Sequence, residues 1–451
     1  MANSTQKRFN IPLYVQYIFI FQLGIFLGSS FIPDSSFGIA YITLAGGLLF
    51  AAFMGDVKRV FTLLPYFVYS EIYARANVPF VNYLAGQYTL LAVFGLLIFK
   101  QGAKITLRSH SFIFLFAFAI IELIDATRTY ETDFARLTIT NSFLLAFVTL
   151  WSASNYISVS LFNTYIKHLK IAGIFLVGIV AAAHAAGHID YSSHSSSAST
   201  NGLAPVQISA YLGTLAILFF LSIVDPSERK LLVTNLGAFI ITTIFMILSF
   251  SRGGLYFLGA IVLLYLIFNW RNARNHSMLL LLIPVGIGIY NYVIETTGGL
   301  IADRYAQEGA SGRDRLVEVG FEIFMTDPVA GVGTGNFSKE IVKRGLYDVE
   351  SGAHNEFIRA IAEHGILGFV TYFGFYIALI IEIMKRKGAV RQYCLYFFVL
   401  FCLIIVHNGM KLDLQPVLLI FAIATPPPQA KPKIKPAKKL SVPNPALPIT
   451  T

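Results

Sequence analysis

Two short stretches of this chain carry residue types suited to anion and acid–base chemistry. The first is Ser251-Arg252-Gly253-Gly254, set between apolar runs over 231–250 and 255–270. An unpaired guanidinium inside a bilayer edge costs roughly 2.5–3.5 kcal/mol on insertion scales, so Arg252 is expected to face protein, water or an anion. The second is Gly352-Ala353-His354-Asn355-Glu356-Phe357-Ile358-Arg359. A histidine such as His354 titrates near neutrality and can accept a proton from a hydroxyl nucleophile. The same position would also suit an interfacial histidine that caps a helix. Asn355 and Glu356 stand beside it as supporting candidates, with Arg304, Arg313 and Arg315 upstream in the same polar segment. Arginine, rather than lysine, favours bidentate recognition of phosphate.

These residues need a scaffold, and composition indicates its class. The chain has 451 residues, 56% of them hydrophobic and only 13% charged. A soluble domain carries about 25% charged residues. Apolar runs near 11–32, 37–54, 60–74, 80–99, 111–125, 137–156, 171–187, 206–224, 231–250, 255–270, 278–294, 364–384, 393–409 and 416–424 do not alternate polar with apolar, which excludes a barrel. They predict an all-α polytopic membrane protein of about 12–14 transmembrane helices over 1–425. The third and last runs are too short to cross about 30 Å untilted. The N-terminus shows no small-residue cleavage site, so the first run is expected to be retained. Cys394 and Cys402 share one apolar run and imply neither a disulfide framework nor a metal site. The formal charge of +10 is assigned to loops facing anionic lipid, not to nucleic acid.

Lysine and arginine set the orientation. With the N-terminus inside, alternating loops hold Lys7, Arg8, Lys58, Arg59, Lys100, Lys104, Arg108, Lys167, Lys170, Arg229, Lys230, Arg271, Arg274, Lys385, Arg386, Lys387 and Arg391 on the inner face. The short outer loops hold only Arg75, Arg128, Arg136, Arg252 and Lys411. This predicts cytoplasmic termini, a disordered basic tail over 426–451, and one long periplasmic loop near 295–356. His188 and His194 fall in a Ser-rich outer loop and are read as polar linker, not metal ligands. Glu71, Arg75, Glu122 and Asp125 lie within or at the ends of spans, open either to a functional or to an interfacial reading. Glu122, Asp125 and Arg128 recur at helical spacing and suit a local ion pair.

In the outer loop, Ser311-Gly312-Arg313-Asp314-Arg315 precedes an amphipathic stretch over 316–325, which Pro328 stops. Ala330-Gly331-Val332-Gly333-Thr334-Gly335-Asn336 looks like a nucleotide loop only superficially. No strand precedes it and no Lys-Ser/Thr follows, so a tight turn packed on the membrane helices is expected.

Taken together, Ser-Arg-Gly between two spans, the Gly-Arg and Pro-Val-Ala-Gly-Val-Gly-Thr-Gly-Asn-Phe of the loop, and His-Asn-Glu-Phe-Ile before Glu-His-Gly-Ile-Leu-Gly resemble the bacterial O-antigen ligase and O-antigen polymerase superfamily over roughly 200–410. The resemblance implies a metal-independent, cofactor-free glycosyltransferase of the inner membrane. It would move a glycan from an undecaprenyl diphosphate carrier to a periplasmic acceptor, lipid A-core for a ligase or a second lipid-linked glycan for a polymerase. It carries diphosphate binding to Arg252 and Arg313, and the base role to His354. The competing class is a transporter or flippase for lipid-linked sugars. The chain shows no internal repeat, and its candidate residues cluster on one side, which favours surface chemistry over alternating access.

Overall fold

The computed structural model describes residues 11–29, 34–102, 109–187, 191, 203–271, 273–306, 313–409 and 412–424. The loop histidines His188 and His194, Lys411 and the tail 426–451 lie outside the described residues.

Each apolar run is helical. In chain order the helices are α1 (Leu13–Gly28), α2 (Asp34–Phe53), α3 (Val57–Asn77), α4 (Tyr83–Gln101), α5 (Ser111–Asp125), α6 (Thr132–Ser154), α7 (Val159–Ala185), α8 (Pro205–Val224), α9 (Leu232–Leu248), α10 (Gly253–Asn269) and α11 (Ala273–Thr296). Three short helices follow, α12 (Leu300–Ala306), α13 (Arg313–Thr326) and α14 (Phe337–Lys343), and then α15 (Glu356–Gly368), α16 (Gly374–Met384), α17 (Gly388–Asn408) and α18 (Leu414–Ile423). Among the described residues there is no strand. Nine helices there are long and apolar enough to cross a membrane, with α1, α10 and α18 as shorter apolar helices. The protein is an all-α, multi-pass membrane protein.

Local signals set many helix starts. Asp56, Asn82, Ser158 and Asn355 each accept a backbone N–H from the first turn of α3, α4, α7 and α15, which satisfies donors the helix itself cannot. Pro205 opens α8, where its missing N–H costs nothing. Close packing uses small residues where backbones meet. A Cβ at Gly24 of α1 would lie 2.3 Å from the Phe175 carbonyl oxygen of α7, and one at Gly178 would lie 2.4 Å from that of Phe21.

Two features depart from the sequence reading. Helix α3 has 21 residues, so at 1.5 Å per residue it covers roughly 30 Å, longer than the 60–74 run. Its polar end is accommodated by protein: Arg75 pairs with Glu71 at 2.6 Å, donates to Gln207, and lies 3.9 Å over the Tyr83 ring. The second departure is the segment between α12 and α15, which is a folded unit. Leu316, Val319, Ile323, Phe337, Ile341 and Ile358 form a separate apolar core. Fully burying side chains of this size contributes about 1.5–3 kcal/mol each.

The glycine-rich turn fastens that unit to the bundle. The Val332 and Gly333 amides donate to the Ala362 and Glu363 carbonyls of α15 at 3.1 and 2.8 Å, and the Ile366 amide donates to Pro328 at 2.8 Å. Arg128, after α5, donates to the Gly331 and Ala330 carbonyls, and Thr334 donates to the Glu122 carbonyl at 2.6 Å. Gly331 (φ 61°) and Gly365 (φ 59°) both take the left-handed conformation at this crossing. A Cβ on Gly331 would sit 2.3 Å from the Glu363 backbone, and one on Gly365 would sit 2.6 Å from that of Val329. Only glycine meets both conditions.

Candidate active site

The Arg252 turn is built by α9, α10 and α8. Helix α9 ends at Leu248, and Phe250 then adopts φ 57° while fully buried. The Ser209 hydroxyl of α8 donates to the Ser251 carbonyl at 3.0 Å and accepts the Gly254 N–H at 2.9 Å. This clamp sets Arg252 at the N-terminus of α10, half-buried.

Two loop arginines join it. Arg304 of α12 is buried and directs Nε towards the Phe250 carbonyl at 3.4 Å. Arg313 opens α13, and its Nη1 lies 2.6 Å from Nδ1 of His407, one residue before the end of α17. Burial, followed by the charge of Arg252, pulls the Arg304 guanidinium below its ordinary value. Burial, followed by Arg252 and Arg304, does the same to Arg313. Arg304 and Arg313 thus each feel the like charge of Arg252, and mutual repulsion of this kind is relieved when an anion binds among them.

His354 lies in the same electrostatic neighbourhood, since His407 interacts with Arg313, His354 and Arg252. His354 is exposed and has φ 51°. Phe250 and His354 are the two non-glycine residues with positive φ among those described, and both border this site. Such conformations cost of order 1–3 kcal/mol each and persist where the surroundings impose them.

The remaining candidates fall elsewhere. Asn355 is the helix cap, its Oδ1 accepting the Phe357 N–H at 3.0 Å. Glu356 is buried and accepts from Arg359 Nε at 2.5 Å. Arg315 lies on the exposed face of α13, paired with Glu318 at 3.0 Å and Glu322 at 3.5 Å.

Behind His354 lies a buried charge network. Arg359 contacts Glu356, Glu363 at 2.7 Å and Glu122 of α5 at 2.6 Å. His364 Nδ1 lies 2.6 Å from Asp125, which also pairs with Arg128 at 2.6 Å. The acids on α5 therefore anchor the helix that follows His354. Glu71 and Arg75 pair with each other on a separate helix.

An apolar cavity of about 710 Å³ lies among α8, α9, α10 and α11, and its first lining residue on α10, Leu255, is three positions after Arg252. Ile247 of α9, Leu255, Leu258 and Val262 of α10, and Ile283 and Ile289 of α11 line it. Ile283 is 57% exposed, so the α11 wall opens sideways, where lipid would be.

His407 was not legible as part of this site. Its local signal is weak: one histidine in His407-Asn408-Gly409, at the end of an apolar run. Among the described residues, no group of three or more His, Cys, Asp or Glu side chains is placed to hold a metal ion.

Residues 237–373 match the family model described as O-antigen ligase. The match starts in α9, includes the Arg252 turn, the folded unit of α13 and α14 and His354, and ends in the π-helical turn before α16. The matched stretch contains all the motifs on which the resemblance to the O-antigen ligase and polymerase superfamily rests. No curated protein matches the chain.

Proposed function

We propose that the protein transfers a glycan from an undecaprenyl diphosphate carrier to a hydroxyl acceptor at the periplasmic face of the bacterial inner membrane. The observation that carries this reading is the grouping of Arg252, Arg304 and Arg313 with His354 in one electrostatic neighbourhood, with an apolar cavity lined by the same helix α10 that Arg252 precedes. A diphosphate suits the guanidiniums, whose forked donors contact two oxygens at once. A polyprenyl tail suits the cavity.

In the reaction, the acceptor hydroxyl oxygen forms a bond to the anomeric carbon. The bond from that carbon to the diphosphate oxygen breaks, and the electron pair leaves with the diphosphate. The arginines stabilise the charge that develops there, and His354 takes the hydroxyl proton. Lipid A-core is the preferred acceptor. A second lipid-linked glycan would serve a polymerase through the same leaving-group chemistry.

The test uses purified protein, the undecaprenyl-diphosphate-linked glycan, and each acceptor separately. Arg252→Lys keeps the charge but loses the fork, and Arg252→Ala loses both. Arg252→Ala should lower transfer by about 10²–10³-fold at normal protein level, the usual effect of removing one preorganised donor. Transfer by Arg252→Ala within a few-fold of wild type would exclude the role.

The orientation has its own check. In a chain carrying Cys394→Ser and Cys402→Ser, Ser338→Cys on α14 should react with an impermeant thiol reagent in intact spheroplasts. Ser441→Cys in the tail should react only after permeabilisation. The opposite pattern would reverse the topology.

A further inference from the structure

His407 lies outside the matched stretch 237–373 and has no role in the reading above. Its ring is held on three sides. Arg313 Nη1 is 2.6 Å from Nδ1. Phe257 of α10 meets it edge-on, with ring centroids 5.8 Å apart. Gly253 lies under its other edge, where an added Cβ would come within 2.4 Å of both Cδ2 and Nε2.

The partner settles the protonation pattern. A guanidinium only donates hydrogen bonds. Nδ1 must therefore accept, so it carries no proton and the proton of neutral imidazole sits on Nε2. Nε2 is buried, and no protein atom among the described residues accepts from it. An unsatisfied buried donor costs about 1–3 kcal/mol, so a ligand oxygen there would recover that cost. The Nε2 edge rests on Gly253, next to Arg252, so the donor and the guanidiniums share one locus.

We propose that His407 is a further anion-binding residue of this site: its Nδ1 aims Arg313, and its Nε2–H donates to an oxygen of the bound diphosphate. This rests on the donor reading given above. It assigns to the last long span, which the motifs do not reach, a contact that only diphosphate-bearing ligands would sense. Gly253 is required because any side chain would push the ring off that position.

The test compares undecaprenyl diphosphate with undecaprenol, both in detergent micelles, on the full-length protein. His407→Phe fills the volume and loses both contacts. It should weaken undecaprenyl diphosphate binding roughly ten- to a hundredfold, the scale of hydrogen bonds to charged groups, and leave undecaprenol binding unchanged. His407→Asn offers an acceptor near the Nδ1 position, and His407→Gln a donor near the Nε2 position. Each should recover part of the loss. Equal loss of both ligands with a lowered melting temperature would mark a packing role and overturn the proposal, as would diphosphate binding within twofold of wild type. If His407→Phe does not fold, the Asn and Gln variants decide: full wild-type affinity in both overturns the proposal. Failure of the donor reading is separately visible, because wild type would then bind undecaprenyl diphosphate no better than undecaprenol.

Discussion

His354→Ala should lower single-turnover transfer by about 10²–10⁴-fold, the usual cost of losing a general base, while donor binding stays near wild type. The structure makes this variant more informative than the sequence allowed. A histidine at this position could have been the helix cap, in which case its loss would destabilise α15. The cap is Asn355, whose Oδ1 receives the Phe357 and Ile358 amides. His354 stands one residue earlier, exposed, at φ 51°. Its removal therefore leaves the cap of α15 in place. Donor binding and transfer should be measured on the same purified sample. Normal binding with transfer within a few-fold of wild type would end the base assignment. Normal binding with a hundredfold loss, together with loss of the acidic limb of the pH–rate profile, would identify His354 as the proton acceptor.

The largest stability effect is expected at Arg359. Its side chain is 2% exposed and contacts Glu122, Glu356 and Glu363. Arg359→Met keeps the length and packing but leaves these carboxylates without their guanidinium. Removing one partner of a buried charge group costs about 3–5 kcal/mol, because the remaining charge stays desolvated. Thermal unfolding in detergent should show a large drop in melting temperature. Adding Glu122→Gln and Glu363→Gln to Arg359→Met should restore much of it, since the uncompensated charge is then removed. Arg315→Ala is the control. Its pairs with Glu318 and Glu322 are half-exposed and screened, so a change within about 1 kcal/mol is expected. Equal melting temperatures for Arg359→Met and Arg315→Ala would refute the network's structural role.

Run length and hydropathy determined the helical bundle, because a segment crossing lipid must satisfy its backbone internally and present apolar side chains. The Gly331/Gly333/Gly335 series was legible as a packed turn, since the strand and Lys-Ser/Thr of a phosphate loop are missing around it. Polar residues inside helices obscured lengths: Lys58, Arg59, Glu71 and Arg75 shorten the apparent run of α3, although Glu71 and Arg75 neutralise each other inside the bundle. What the sequence could not decide was which charges meet. Arg313 and Arg315 are two residues apart, so on a helix of 3.6 residues per turn they point roughly 200° from each other. Only the docking of α13 on the bundle turned Arg313 towards His407 and left Arg315 half-exposed, paired with Glu318 and Glu322. Likewise, nothing local to His407 indicates an arginine 94 positions away in sequence. Helices are set by interactions a few residues long, but the site is set by how distant helices pack, and that information is spread over every contact between them.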